Sequence, residues 1–187
     1  RSSDLARSTA DIEHNGLTLN GVGNGTKIEN IYVLESADDA IEFFGGTVNV
    51  TNLLAVNPDD DMFDFTQGYC GTLKNCYGVW ESDYTSTEAD PRGIEADGNM
   101  DGLYPDHLRQ SDFKVENMTI VNNAANTADN VDRMQDVIKI RRGAKATITN
   151  ALVKGTGGAI DLVDMKDSKG AGNIESSINI TSTRSEE

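Results

Sequence analysis

The chain of 187 residues, 37% of them hydrophobic, is long enough to form one domain with a core of its own. Its 31 Asp and Glu residues outnumber its 16 Lys and Arg residues, which gives a net charge of −15. Such an excess repels phosphate backbones, so the composition excludes nucleic acid as a partner and instead suits cations or a soluble extracellular surface. No apolar run of about 18 residues is present that could span a bilayer.

A short strand pattern that contains asparagine recurs along the chain. It reads apolar residue, any residue, Asn, and then a strand-like run, as in "KIENIYV" and "NVTNLLAV". The asparagines in this register are Asn30, Asn52, Asn75, Asn117 and Asn150. The step from the first to the second is 22 residues, and a period of roughly 20 to 50 residues indicates a repeat architecture.

A second strand pattern lies between the copies of the first, as "AIEF", "MFDF", "GIEA", "VIKI" and "AIDL". Its apolar residues recur at period 2 and the breaks contain Gly, Asn and Asp, which predicts strands and not helices. Stacked copies of such strands satisfy the backbone of a solenoid, so the sequence predicts an all-β parallel β-helix with rungs of about 22 residues. The predicted inward layers are Ile41, Phe43, Phe63, Phe65, Ile138, Ile140, Ile160 and Leu162.

The asparagines are predicted to occupy a corner of each rung. Asparagine tolerates the left-handed backbone that a bend needs, and its amide can bond to the asparagine one rung away, so we expect an asparagine ladder. Beyond the bend, alternate side chains are predicted to point outward. They form a semi-apolar face that a loop covers or on which a partner docks, and they are Tyr32, Leu54, Tyr77, Thr119 and Leu152.

The outward positions of the second strands are predicted to carry a column of mostly acidic residues, about 4.8 Å apart. The column is Glu42, Asp64, Glu95, Lys139 and Asp161. Its like charges repel, and Lys139, a bound cation, a raised pKa or full solvation would offset the repulsion. Paired carboxylates could serve glycoside hydrolysis. Arg141 shares the parity of Lys139, so the column could also serve a polysaccharide lyase in which a cation neutralises a uronate and a basic residue removes a proton.

The rung between Asn75 and Asn117 is roughly twenty residues longer than the repeat, which predicts a loop insertion over residues 80–112. Loops on a rigid scaffold often carry binding sites. Aromatic residues cluster around this insertion, and their exposed rings could stack on sugars, or the rings could pack under the loop. These candidate ligand-binding residues are Tyr77, Trp80, Tyr84 and Tyr104.

The segment "DGNMDG" in this insertion matches the first half of a calcium-binding loop, D-x-[DN]-x-[DN]-G. Asp97, Asn99 and Asp101 would supply side-chain oxygens, Leu103 a backbone carbonyl, and Asp106 could reach round to the ion. Oxygen-only ligands favour Ca²⁺ over zinc or copper. The alternative is a solvated turn closed by Asn and Gly.

The segments "GLTLNGVGNGTKIENIYV", "DDAIEFFGGTVNVTNLLAVNPDDDMFDFTQGYCG" and "RGIEADGN" resemble right-handed parallel β-helix lipoproteins and secreted proteins of Bacteroidetes-type bacteria. The likeness covers most of the range from Leu17 to Ala125. It implies a right-handed helix and an exported, outer-surface protein, of which residues 1–187 form a single domain at the C-terminal end of a longer chain. It transfers no catalytic residue. The sequence departs from the pattern at Cys70 and Cys76, which are either bonded or two free thiols.

Three functions follow as hypotheses from these observations. The leading one is a non-catalytic, cell-surface or secreted β-helix module that binds glycans or a surface protein, with calcium as a stabilising ion. The second is a polysaccharide lyase or glycoside hydrolase acting on an acidic polysaccharide, with the outward column and Arg141 as its catalytic residues. The third is a structural spacer or adhesin stalk.

Overall fold

The structure, a computed structural model, describes residues 14–99, 109–125, 134–182 and 184–186. Apart from a short 3-10 turn at Ala171–Asn173, these residues form strands and the turns between them. The strands are β1 (Leu17–Asn20), β2 (Lys27–Leu34), β3 (Ile41–Phe44), β4 (Asn49–Val56), β5 (Phe63–Thr66), β6 (Thr72–Trp80), β7 (Ile94–Asp97), β8 (Asp112–Asn122), β9 (Asp136–Arg141), β10 (Lys145–Lys154), β11 (Asp161–Asp164), β12 (Ser177–Thr181) and β13 (Arg184–Glu186).

The strands build two parallel sheets. The first sheet has the order β1-β3-β5-β7-β9-β11, and the second has the order β2-β4-β6-β8-β10-β12, with β13 also pairing with β10. Each rung thus gives one short strand to the first sheet and one longer strand to the second. This is the right-handed parallel β-helix that the sequence predicts. The predicted insertion over residues 80–112 consists of two connections, one on either side of β7.

The asparagine ladder is confirmed. The Nδ2 atom of Asn52 donates to Oδ1 of Asn30 at 2.8 Å, and equivalent bonds of 2.8–3.0 Å continue through Asn75, Asn117 and Asn150. All five residues have φ between 54° and 61°, which asparagine adopts more readily than most residues. The ladder runs along an exposed corner of the second sheet.

The core between the sheets is a stack of inward side chains. The rings of Phe43 and Phe65 are 5.2 Å apart, those of Phe65 and Phe113 are 4.1 Å apart, and Tyr69 packs against Phe43 at 4.3 Å. The buried residues confirm most of the predicted inward layers, namely Ile41, Phe43, Phe63, Phe65, Ile138 and Ile140.

The predicted register of β11 is wrong. The apolar alternation predicts that Ile160 and Leu162 face inward, but each is 48% exposed. The backbone N–H groups of Ile160 and Asp161 both donate to the carbonyl oxygen of Gln135, so a bulge precedes the strand. A bulge adds a residue and reverses which side chains face the core. Val163 therefore lies beside the inward residue of the previous rung.

Two smaller features complete the fold. Cys70 and Cys76 are free thiols, and Cys76 is buried. Among the described residues there is no helix with the length and apolar character needed to cross a membrane.

Candidate functional site

The outer face of the first sheet carries the charged column that the sequence predicts. Glu42 pairs with Asp64, Asp64 with Glu95, and Glu95 with Lys139 in the parallel register. The last residue of the column differs from the prediction. Because of the bulge before β11, the residue beside Lys139 is Asp164. Asp161 pairs instead with Asp136 and lies outside the column.

The column borders an open trough of about 370 Å³, which we call the acidic trough. Its lining combines β3, β5 and β7 with the turns that precede β3 and β5. The lining residues are Asp38, Asp39, Glu42, Phe44, Asp60, Asp61, Asp64, Thr66, Gln67, Glu95 and Asp97. Eight of these eleven side chains carry a carboxyl group, so acidic groups dominate the lining of the trough.

The carboxylates on the β7, β9 and β11 rungs have basic partners. Arg92 and Arg141 both contact Glu95, and burial excludes the water that would otherwise screen these pairs. The ion pairs are Arg92 with Glu95 and Asp136, Arg141 with Glu95 and Asp97, Arg142 with Asp97, and Lys139 with Asp164. This end of the face is therefore electrostatically compensated.

Three carboxylates on the β3 and β5 rungs have no such partner among the described residues. Across the part of the chain that the structure describes, no Lys or Arg forms an ion pair with Asp39, Asp61 or Asp64. The Oδ1 atoms of Asp60, Asp61 and Asp64 are buried and have no hydrogen-bond partner there either. Leaving a buried polar atom unpaired costs about 1–3 kcal/mol, and more when it is charged. These atoms need either a proton or a cation.

A row of hydrogen bonds fixes the carboxylates of the turns. The side-chain oxygen of Asn15 accepts the N–H of Asp39 at 3.1 Å, and Oδ1 of Asp39 accepts the N–H of Asp61 at 3.0 Å. Asn15 also donates through Nδ2 to Oε2 of Glu42. The row ends at Asp61, whose own Oδ1 atom is one of the unpaired atoms in the trough.

Burial and mutual repulsion raise the pKa values of these carboxyl groups. Burial raises the pKa of Glu42 to about 7 and that of Asp60 to about 8. The pKa values of Asp39, Asp61 and Asp64 lie well above the ordinary range, first because of burial and then because of neighbouring carboxylates. Near neutral pH the trough therefore holds protons unless a cation replaces them.

The trough residues fit a hard divalent cation. Ligand oxygens of Asp61, Asp64 and Glu95 lie within 4.8 Å of one another, and the same is true of Asp39, Glu42 and Asp64. Ca²⁺ takes oxygen ligands at about 2.3–2.6 Å, which separates two of its ligands by up to about 5 Å. Asp61 and Asp64 thus have the ligand chemistry and the spacing that Ca²⁺ requires, and each has one oxygen without a hydrogen-bond partner among the described residues.

Three of the four aromatic residues predicted to bind a ligand are described, and these three do not line the trough. Trp80 is fully buried and donates from Nε1 to the carbonyl oxygen of Pro58 at 2.9 Å, so its ring cannot stack on a sugar. Tyr84 is half-buried with its ring 5.7 Å from that of Trp80. Tyr77 is 41% exposed, on the outer face of the second sheet. Tyr104 lies outside the described residues.

The predicted calcium loop is described only in part. Oδ1 of Asp97 accepts hydrogen bonds of 2.9 Å from both Arg141 and Arg142, and Oδ2 accepts another from Arg141 at 3.0 Å. These hydrogen bonds engage both side-chain oxygens of Asp97, which the predicted loop would need to coordinate calcium. Asn99 is buried. The other predicted ligands lie outside the described residues, so this loop site stays a prediction; they are Asp101, Leu103 and Asp106.

Four acidic residues of the turns that line the trough are not among the site residues that the sequence predicts, namely Asp38, Asp39, Asp60 and Asp61. A signal for them exists, because the acid pairs of "SADDAIEF" and "NPDDDMFDF" repeat at the 22-residue period of the rungs. Residues that repeat at the rung period stack on one another in a solenoid. The repeated acids therefore could have been assigned to the same face as Glu42 and Asp64.

The sequence has no match among curated proteins or among solved structures. A family model described as a pectate-lyase-like β-helix domain matches residues 6–186, almost the whole chain. The match agrees with the two parallel sheets of the structure. The chain belongs to the pectate-lyase-like β-helix domain family.

Proposed function

We propose that the protein cleaves an acidic polysaccharide by elimination in the acidic trough, with a divalent cation held there by carboxylates. One observation carries this proposal: the buried carboxylates of Asp61 and Asp64 lie close together, each with an unpaired oxygen, on the face of a pectate-lyase-like β-helix domain. An empty, ionised trough would repel a polyuronate. A trough that holds a cation would attract one, because a uronate carboxylate completes the coordination of the ion.

The residues of the chain have separate tasks in this proposal. Asp61 and Asp64 would hold the cation, which when bound neutralises a uronate carboxylate and so favours loss of the proton beside it. Glu42 accepts that proton from C5 of the uronate, the bond between C4 and the glycosidic oxygen breaks as a C4–C5 double bond forms, and the leaving oxygen takes a proton from solvent. Its pKa of about 7 makes it a stronger base than an ordinary glutamate while leaving it substantially ionised near neutral pH.

The basic side chains of the face are less suited to accept the proton. Arg141 is held by Glu95 and Asp97, and these carboxylates raise the pKa of its guanidinium even though burial opposes the change. Lys139 is buried and donates to Asp164 at 2.6 Å. We therefore assign both to the support of the trough, in place of the catalytic role that the sequence suggested.

The same observation supports a second candidate, cation-dependent binding of an acidic glycan without cleavage. The ion pairs of Arg92, Lys139 and Arg141 compensate buried acids, as they would in a structural scaffold. In both candidates the protein works outside the cell, where calcium is abundant enough for a site of about 10⁻⁴ to 10⁻³ M affinity. An exported protein of the bacterial surface fits this setting.

The test is to incubate the protein with polygalacturonate, alginate and a neutral glucan, with calcium and with excess chelator. Elimination produces an unsaturated sugar that absorbs ultraviolet light, whereas hydrolysis produces reducing ends without this absorbance. We expect the unsaturated product from an acidic polymer, in calcium only. Reducing ends alone would assign hydrolysis, and calcium-dependent binding with no product would favour the second candidate.

A matched pair of variants locates the chemistry. Glu42→Gln should lower the cleavage rate by about 10²-fold or more, since a general base contributes this much. Glu29→Gln changes an exposed glutamate on the second sheet and should leave the rate unchanged. Equal rates for the two variants would contradict the role of Glu42.

A further inference from the structure

The turn before β5, residues 57–61, is held from outside by the connection between β6 and β7. Asp59 is the centre of these contacts. The backbone N–H of Thr87 donates to Oδ1 of Asp59 at 2.7 Å, and the Thr87 hydroxyl donates to Oδ2 at 2.6 Å. The hydroxyl of Ser86 donates to the backbone carbonyl oxygen of Asp59. One carboxylate is thus bound at both oxygens by a single residue of the connection.

Further contacts fix the beginning of the same turn. The indole of Trp80 and the hydroxyl of Tyr84 both approach the carbonyl oxygen of Pro58, at 2.9 and 3.0 Å. Asn57 accepts the backbone N–H of Glu81 at 2.9 Å and donates to its carboxylate at 3.0 Å. Since Trp80 is fully buried, these contacts attach the turn to the core as well as to the connection.

The rung below holds the other side of the turn. The N–H of Asp59 donates to the carbonyl oxygen of Ser36 at 3.0 Å, and the N–H of Asp61 donates to Oδ1 of Asp39 at 3.0 Å. Asp60 and Asp61 follow Asp59 directly and line the trough. The turn is therefore fixed between two layers, and it presents to the trough two carboxylates whose Oδ1 atoms are unpaired.

We propose that residues 81–90 of the β6–β7 connection, which we call the latch, are a positioning element for the acidic trough: through Thr87 and Asp59 the latch sets the turn whose Asp61 carboxylate binds the cation. This inference rests on the proposed function, because it concerns the cation of the same site. Asp59 and Thr87 are positioning residues, since they contact neither the cation nor the substrate. Metal sites elsewhere lose about 10- to 100-fold in affinity when a supporting residue of this kind is changed.

The test is a calorimetric titration of the whole chain with calcium. Thr87→Val removes the hydroxyl while retaining the shape of the side chain, and it should weaken calcium binding about tenfold or more. Thr87→Ser keeps the hydroxyl and should restore most of the affinity. Thr85→Val changes an exposed threonine of the latch and is the matched control. At saturating calcium Thr87→Val should recover the wild-type cleavage rate, which a general loss of structure would not allow.

The outcomes separate the latch from the proposed function. If Thr87→Val and Thr85→Val bind calcium as tightly as the wild type, the latch is overturned while the function stands. If the wild type binds calcium and cleaves nothing, cleavage is overturned while the Thr87 series still supports the latch. A wild type that binds no calcium overturns both. Should Thr87→Val fail to fold, Tyr84→Phe removes one hydroxyl from the same turn and is expected to weaken calcium binding severalfold.

Discussion

At the scale of single residues, asparagine is the side chain that turns each rung. Asn52 has φ of 61°, donates to Asn30 and accepts from Asn75, so it combines an unusual backbone conformation with two ladder bonds. Because the ladder lies at an exposed corner, water can replace part of each lost bond. The strain of placing another side chain in the left-handed region remains.

We expect Asn52→Leu to lower the free energy of unfolding by about 2 kcal/mol, which combines that strain with the lost bonds. For a domain of this size the change corresponds to about 6 °C in melting temperature. Asn24→Leu is the control, because Asn24 is exposed and its side chain is not part of the ladder. Equal melting temperatures for the two variants would contradict the structural role of the ladder.

Protonation of the trough should make stability depend on pH. Burial raises the pKa of Glu42 from 4.5 to about 7 and that of Asp60 from 3.8 to about 8. The folded state therefore binds more protons than the unfolded state between about pH 4 and pH 8, so the free energy of unfolding should fall as the pH rises through this window. Calcium replaces the protons and should reduce the loss.

Thermal unfolding in chelator and in millimolar calcium, measured across this window, checks the dependence. We expect the two curves to converge near pH 4 and to separate as the pH rises, and Glu42→Gln should make the chelator curve flatter. A melting temperature in chelator that rises between pH 5 and pH 8 would mean that the trough carboxylates are not held protonated by burial.

At the scale of elements, the sequence predicts most strands because the repeat makes each one a copy of its neighbour. The asparagine register and the apolar alternation of "IEFF" and "FDFT" locate β3 and β5 without reference to any contact. The register of β11 was not predictable in this way. The apolar pattern of "AIDL" matches that of "AIEF", but the bulge at Ile160 and Asp161 depends on two N–H groups sharing the carbonyl of Gln135.

The stacked rings of the core predict a large loss of stability when one of them is removed. Phe65 lies between Phe43 and Phe113, and Phe65→Ala should destabilise the fold by about 4 kcal/mol because the rigid sheets cannot close the cavity. Leu162→Ala should cost less than about 1 kcal/mol, since that side chain is half exposed. Urea unfolding of both variants measures the difference. A larger loss of unfolding free energy for Leu162→Ala than for Phe65→Ala would contradict the observed register of β11. It would support the inward Leu162 that the alternation of apolar residues predicts.

At the scale of the whole molecule, the solenoid separates compensated acids from uncompensated ones along a single face. The rungs of β7, β9 and β11 carry Arg92, Lys139 and Arg141 among their acids. The rung of β5 carries Asp60, Asp61 and Asp64, whose Oδ1 atoms have no hydrogen-bond partner among the described residues. The sequence predicts the column, because Glu42 and Asp64 share the rung period. The sequence does not predict which carboxylates of the column are neutralised, because that depends on which of them the side chains of Arg92 and Arg141 contact in the folded chain.

A crystal structure from crystals soaked in calcium tests the trough most directly. We expect a peak in the anomalous difference map within about 2.3–2.6 Å of oxygens from Asp61 and Asp64, and no such peak in Asp64→Asn crystals treated in the same way. The carboxylates that already have arginine partners, at Asp97, should gain no ion. A wild-type map with no peak between Asp61 and Asp64 at saturating calcium would contradict the cation site, and with it the proposed route to cleavage.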